Sequence, residues 1–159
     1  QPRSIFYTPR VEARYLLPFA PAFWALLGAA VVWIGRRLRP AGYVVVYAPN
    51  RWYPFETHGI EWRGRYRFGN IPLINYLPTP LRNRLCPHAR AYTRGQMRRL
   101  FAGTPLRIVL HTQIYPGFDN VVARRPILGR LLRAVLYTLE ATPLRAFGLS
   151  HLVIAQRTD

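Results

Sequence analysis

The sequence predicts an α/β chain fronted by an apolar helix, and three observations predict it. Residues 42–50, GYVVVYAPN, place only β-branched or aromatic side chains from Tyr43 to Tyr47, the pattern of a strand buried on both faces. From there the chain reads strand, irregular aromatic segment, helix, strand, helix, strand. Ahead of it, Tyr15–Gly35 runs for 21 residues without a charged side chain.

The first 14 residues, QPRSIFYTPRVEAR, read as an extended segment because Pro2 and Pro9 break helix. Tyr15–Gly35 follows. At 1.5 Å per residue a helix of that length crosses a hydrocarbon core of about 30 Å. It is bracketed by Arg14 on one side and by Arg36, Arg37 and Arg39 on the other, with Tyr15 at the edge as an interfacial anchor. Pro18 and Pro21 shorten the clean helix to about 15 to 18 residues. The expectation is a single transmembrane helix over 15–35, against the plainer reading of a buried or membrane-surface helix. The three arginines after the run favour a cytoplasmic carboxyl-terminal domain, 36–159, although Arg3, Arg10 and Arg14 oppose them. No small-residue cleavage site follows the run, which argues against a signal peptide.

Pro49 and Asn50 stop the strand, since proline lacks a ladder donor and asparagine favours turns. Ligands of open parallel sheets lie beyond the carboxyl ends of strands. That points to the next residues, RWYPFETHG at 51–59, as the recognition segment. Arg51, Trp52, Tyr53, Glu56 and His58 are its candidate site residues. Glu56 and His58 are spaced either for an acid–base pair or for a local ion pair that fixes the loop. Through residue 92 aromatics and arginines alternate and proline recurs. Short helical turns fit near 71–77 and 80–85, the second opened by Thr79 and Pro80.

Thr93–Arg–Gly–Gln96 has the form of a capping box, followed by Met97, Leu100 and Phe101 on one face. Leu106–Ile114 reads as a strand with Ile108 and Leu110 on one face and Arg107, Val109 and His111 on the other. Pro126 opens a helix whose Ile127, Leu128, Leu131, Leu132, Val135, Leu136 and Leu139 recur at helical spacing. Pro143 stops it, and a last strand lies near His151–Ala155.

The 159 residues suffice for one modest domain and carry a net charge of +17. All 23 basic residues are arginine. Compositional bias accounts for that, and so does recognition of anionic lipid, nucleic acid or acidic protein, because guanidinium binds phosphate and carboxylate through a rigid fork. Aromatics among arginines suit base stacking, yet no nucleic-acid-binding motif is present. The single cysteine, Cys86, excludes an internal disulfide and reads as structural. His58, His88, His111 and His151 lack metal-ligand spacing. Asp119 and Asn120 read as loop-fixing residues.

LRPAGYVVVYAPN at 38–50 resembles the late strand of a class I S-adenosylmethionine-dependent methyltransferase, with Pro40–Ala41–Gly42 in place of a Pro–Gly–Gly turn. YTRGQMRRLF at 92–101 is similar to the family's next helix, and RIVLHTQIYPG at 107–117 and HLVIAQ at 151–156 to its last two strands. The resemblance implies a partial Rossmann-like methyltransferase sheet over 36–159. The family's cofactor site needs a Gly-rich turn after the first strand and an acidic residue ending the second. Gly28 and Gly35 lie in the apolar run, and no acid stands between Glu12 and Glu56. No cofactor residue carries over.

Together these readings predict a non-catalytic pseudoenzyme, a membrane-associated accessory subunit contacting other subunits of a membrane complex and anionic lipid. Two alternatives stand beside it. One is part of a methyltransferase completed by another segment or chain; the other is a basic module for nucleic acid or an anionic surface. A cofactor, a metal and a small-molecule substrate are not expected.

Overall fold

The computed structural model describes residues 20–158, with side chains along the first helix from residue 29. Helix α1 (Ala20–Arg37) leads into strand β1 (Tyr43–Pro49). Four short strands follow: β2 (Phe55–Glu56), β3 (Ile60–Trp62), β4 (Arg65–Arg67) and β5 (Ile71–Pro72). A 3-10 turn (Ile74–Tyr76), α2 (Thr79–Leu85) and α3 (Arg94–Leu100) come next. The chain continues through β6 (Leu106–Ile114), α4 (Asp119–Arg124), α5 (Pro126–Glu140), a 3-10 turn (Pro143–Phe147) and β7 (Ser150–Arg157).

The main sheet has three strands in the order β1–β7–β6, with β7 antiparallel to both neighbours. Separate two-stranded ladders join β2 to β5 and β3 to β4. This is an α/β domain of several small sheets, without a closed Rossmann-type sheet, and it corrects the expected architecture. Strand β1 is not buried on both faces. Val44, Val46 and Ala48 face the core, whereas Tyr43, Val45 and Tyr47 are more than half exposed. The run of β-branched and aromatic residues reflects strand propensity, which does not distinguish a central parallel strand from the outer strand of an antiparallel sheet.

The core joins Ala48, Val153 and Ala155 of the sheet to Met97 and Phe101 and to Leu106. Thr93 caps α3 as its sequence predicts: its hydroxyl accepts from Gln96 N at 3.2 Å, and Gln96 Oε1 accepts from Thr93 N at 2.9 Å. That cap aims Met97 into the core, where it is fully buried. In β6, pairing shifts register between Ile108 and Leu110. Ile108 pairs with Ala155 on the core side, while Leu110 pairs with Ile154 on the other. The two residues expected on one face are therefore separated by a bulge, whose extra residue reverses the alternation. Helix α5 forms where predicted, yet Ile127, Leu128, Leu131 and Val135 are exposed.

No helix among the described residues is long and apolar enough to cross a membrane, which overturns the predicted span over 15–35. The described helix begins at Ala20, and its 18 residues include Arg36 and Arg37. It reaches about 27 Å at the standard rise, and proline, glycine and tryptophan dilute its apolar content. Its end is also built into the domain. Gly35 is buried where a Cβ would stand 3.1 Å from Leu106 Cδ1. Arg157 Nη1 donates to the carbonyls of Arg36 at 2.8 Å and Leu38 at 2.6 Å. The Arg37 guanidinium lies 5.0 Å from the Trp33 ring centroid. Arg36 and Arg37 thus end a helix docked on the sheet, and Arg39 lies in the turn after it, not at a membrane boundary; Tyr15 lies outside the described residues. The single-pass topology, the cytoplasmic placement, the contacts with membrane-complex subunits and lipid, and the accessory role that depended on the span are withdrawn with it.

Candidate functional site

The segment after β1 is fastened by its first residue. Asn50 is buried, and its side-chain nitrogen donates to the carbonyls of Ala146 and Gly148, both at 2.7 Å. Its Oδ1 accepts from Trp52 N at 3.2 Å. Arg51 N donates to Tyr92 O, and Tyr92 N to Pro49 O, each at 2.9 Å. The strand's end is therefore tied to two distant segments, one at residues 146–149 and one at Tyr92, which fixes where Arg51 and Trp52 begin.

Glu56 and Arg82 hold the rest of the loop. Both are buried, and Arg82 Nη2 donates to Glu56 Oε2 at 2.6 Å. Arg82 also donates to Asn75 Oδ1 at 3.2 Å and to Ala89 O at 2.6 Å. Asn75 Nδ2 in turn donates to the carbonyls of Tyr53 and Phe55. The other Glu56 oxygen accepts from His58 N at 2.9 Å and lies 3.0 Å from His58 Nδ1. Burial alone would raise the Glu56 carboxyl. The hydrogen bonds from His58 and the charges of Arg82 and His58 outweigh it and hold the group at about 2. A carboxylate so acidic, committed to a buried guanidinium, is a poor proton acceptor at neutral pH. Glu56 and His58 do meet, and their hydrogen bonds fasten the loop.

This frame supports a groove of about 670 Å³ at the end of β1. Arg51, Arg90 and Arg99 line it with Trp52, Tyr76 and Gln96, and among the described residues no acidic side chain does. The Trp52 and Tyr76 rings stand 6.2 Å apart at 46°, and Tyr76 Oη donates to Trp52 O at 2.8 Å. Arg51 Nη2 donates to Leu77 O, which sets the direction of its guanidinium. Burial first, then the nearby Arg82 charge, lowers the Arg51 pKa, so its cation is electrostatically disfavoured there. Glu56 pairs with Arg82 and Asp119 with Arg133, and His58 Nδ1 lies against Glu56. Among the described residues no carboxylate pairs with Arg51.

The predicted recognition segment thus divides. Arg51 and Trp52 line the groove, Tyr53 gives its carbonyl to Asn75, Glu56 is buried beneath, and His58 faces a second cavity. Sequence reasoning missed Arg90 and Arg99 as groove residues and Arg82 as the fastener. The arginine of a Thr–Pro-opened turn gives no sign that it will be wholly buried. Cys86 is buried and donates to Gly59 O at 3.5 Å. Burial first, then the Glu56 charge, pushes its thiol up to about 12, which leaves no nucleophilic thiolate at neutral pH. Asp119 and Arg133 pair at 2.8 Å, as suits a loop-fixing residue.

His111 and His151 meet inside the sheet. His151 Nε2 donates to Tyr92 O at 2.8 Å, which leaves its Nδ1 to accept from His111 Nε2 at 3.1 Å. Among the described residues no cluster of three or more His, Cys, Asp or Glu side chains is placed to hold a metal. Comparison with protein-family models, with curated proteins and with solved structures returned no match. No homology therefore identifies a methyltransferase fold, and no enzymatic cofactor site is evident among the described residues.

Proposed function

We propose that this domain is a recognition module that binds a small organic anion with a planar body in the groove at the end of β1. The observation that carries the reading is Arg51, a partly buried guanidinium held by a carbonyl and lining a groove with no acidic side chain among its described residues. A partly desolvated cation with no carboxylate beside it among the described residues is disfavoured, and an incoming phosphate or carboxylate supplies a counter-charge through paired hydrogen bonds. Arg99 adds positive potential, and Trp52 and Tyr76 offer aromatic surface to a flat ligand.

Calorimetric titration with phenyl phosphate and benzoate, against neutral benzamide, tests this at about physiological salt. The anions are expected to bind saturably and benzamide not, with Arg99→Ala weakening the anions several-fold. Equal binding of benzamide, or anion binding indifferent to Arg99→Ala, would overturn the reading.

The likeness of residues 38–50, 92–101, 107–117 and 151–156 to late methyltransferase elements is a proposal about descent alone. Its support is that the three stretches likened to strands pair in one sheet. It assigns no activity to this chain.

A further inference from the structure

We propose that two copies of this chain join through the open edge of β1, antiparallel, about a two-fold axis at Val45. The direction of the backbone groups follows from the ladder. Arg157 N donates to Gly42 O at 2.9 Å and Asn50 N to Leu149 O at 3.0 Å, and between them β1 pairs with β7 in unbroken register. In an antiparallel ladder the residues that bond to one neighbour alternate along the strand. Val44, Val46 and Ala48 therefore turn their N–H and C=O groups to β7, and Tyr43, Val45 and Tyr47 turn theirs away. Pro49 shares that outward parity, and its carbonyl accepts from Tyr92 N at 2.9 Å on the outer side. The bridge between Asn50 and Tyr92 thus takes the far end of the edge. At Tyr43, Val45 and Tyr47 no strand among the described residues does.

Sheet edges are ordinarily blunted by charge, proline or a bulge. Strand β6, the other outer strand, has both a bulge and Arg107. Strand β1 has neither over 43–47, and no charged residue stands between Arg39 and Arg51. The side chains of Tyr43, Val45 and Tyr47 are exposed. The occupant that fits this edge is the edge itself, because residues 43–47, YVVVY, read the same in both directions. An antiparallel copy centred on Val45 sets Tyr43 opposite Tyr47 of the second copy and Val45 opposite its own counterpart, and these are the residues whose backbone groups point outward. Val44 then stands opposite Val46 on the core side. Aromatic and β-branched cross-strand pairs of this kind are favourable. The contact is self-complementary, so it closes at two copies and leaves no further β1 edge. The net charge of +17 on each copy opposes the pairing at long range. Salt screens that repulsion and leaves the uncharged strand contact intact.

Sedimentation equilibrium of the 159-residue chain, from about 1 μM to 1 mM, is expected to show a reversible monomer–dimer equilibrium that tightens as salt is added. Val45→Pro removes an N–H that points away from β7, so it breaks no bond within the chain and should weaken the dimer at least about tenfold. Val45→Lys sets like charges against each other at the axis and should do the same. Should both variants misfold, amide hydrogen exchange in the unmodified chain still decides: exchange at Val45 should slow as protein concentration rises, and exchange at Val46, already bonded to β7, should not. A monomer over the whole range, a dimer that salt weakens, or a dimer indifferent to both substitutions would overturn the proposal. So would slow exchange at Val45 in the dilute monomer, which would mean that the chain covers this edge itself. Tyr43, Val45 and Tyr47 do not line the arginine groove, so the result is independent of anion binding there.

Discussion

Replacing Glu56 by glutamine tests the frame on which both cavities depend. The variant preserves shape and leaves the Arg82 guanidinium, fully buried, opposite a neutral amide. Breaking one side of a buried ion pair costs about 3–5 kcal/mol. The depressed pKa of the carboxyl expresses the same contacts as a free energy. A group ionising at about 2 in place of 4.5 contributes roughly 3 kcal/mol at neutral pH. Against a total stability of about 5–15 kcal/mol, that is a large share. Because the folded pKa lies below the unfolded one, this contribution is complete above about 4.5 and is lost as pH falls toward 2. Urea unfolding of the parent and Glu56→Gln chains at a series of pH values reads it directly. The gap between them should be about 3 kcal/mol at pH 7 and narrow steadily below pH 4.5. A gap below about 1 kcal/mol at pH 7, the range of exposed pairs, would refute the reasoning.

Other substitutions probe separate links. Thr93→Ala removes the capping box of α3 and should cost about 1 kcal/mol in urea unfolding. Gly129→Ala would set a Cβ 2.6 Å from Val122 Cα, so the α4–α5 hairpin must open; a loss of about 1–3 kcal/mol is expected in the same assay. Burial first, then the charges of His151, Arg94 and Arg98, brings His111 down to about 4. Its folded pKa is below its unfolded value of 6.5, so stability should fall as pH drops from 6.5 toward 4. The fall should be shallower in His111→Gln, as measured by the urea midpoint across that window.

Local chemistry was legible where it decides structure alone. The capping box at Thr93, the proline-opened helix at Pro126 and the strand at 106–114 all follow from short-range patterns, and the structure places them there. Strand partners were not legible. GYVVVYAPN has the same residues whether its neighbour runs parallel or antiparallel, and the choice rests on β7, about a hundred residues away. The bulge in β6 was hidden because one inserted residue leaves no mark in composition. The apolar run misled because hydropathy counts side chains without their partners: Gly35 and Val31 serve packing against Leu106 and the core. At the candidate site, Arg51 and Trp52 were found by their place after a strand stop. Arg99 on α3 and Arg90 just before it reach the groove only through tertiary folding.

The most direct test of the anion groove is a phenyl phosphate titration followed by the indole N–H of Trp52 and the guanidinium N–H of Arg51. The account predicts that both resonances shift together and saturate, and that Arg51→Leu weakens binding at least about tenfold, near 1.4 kcal/mol. Shifts spread over the exposed arginines without saturation, and unchanged by Arg51→Leu, would contradict it.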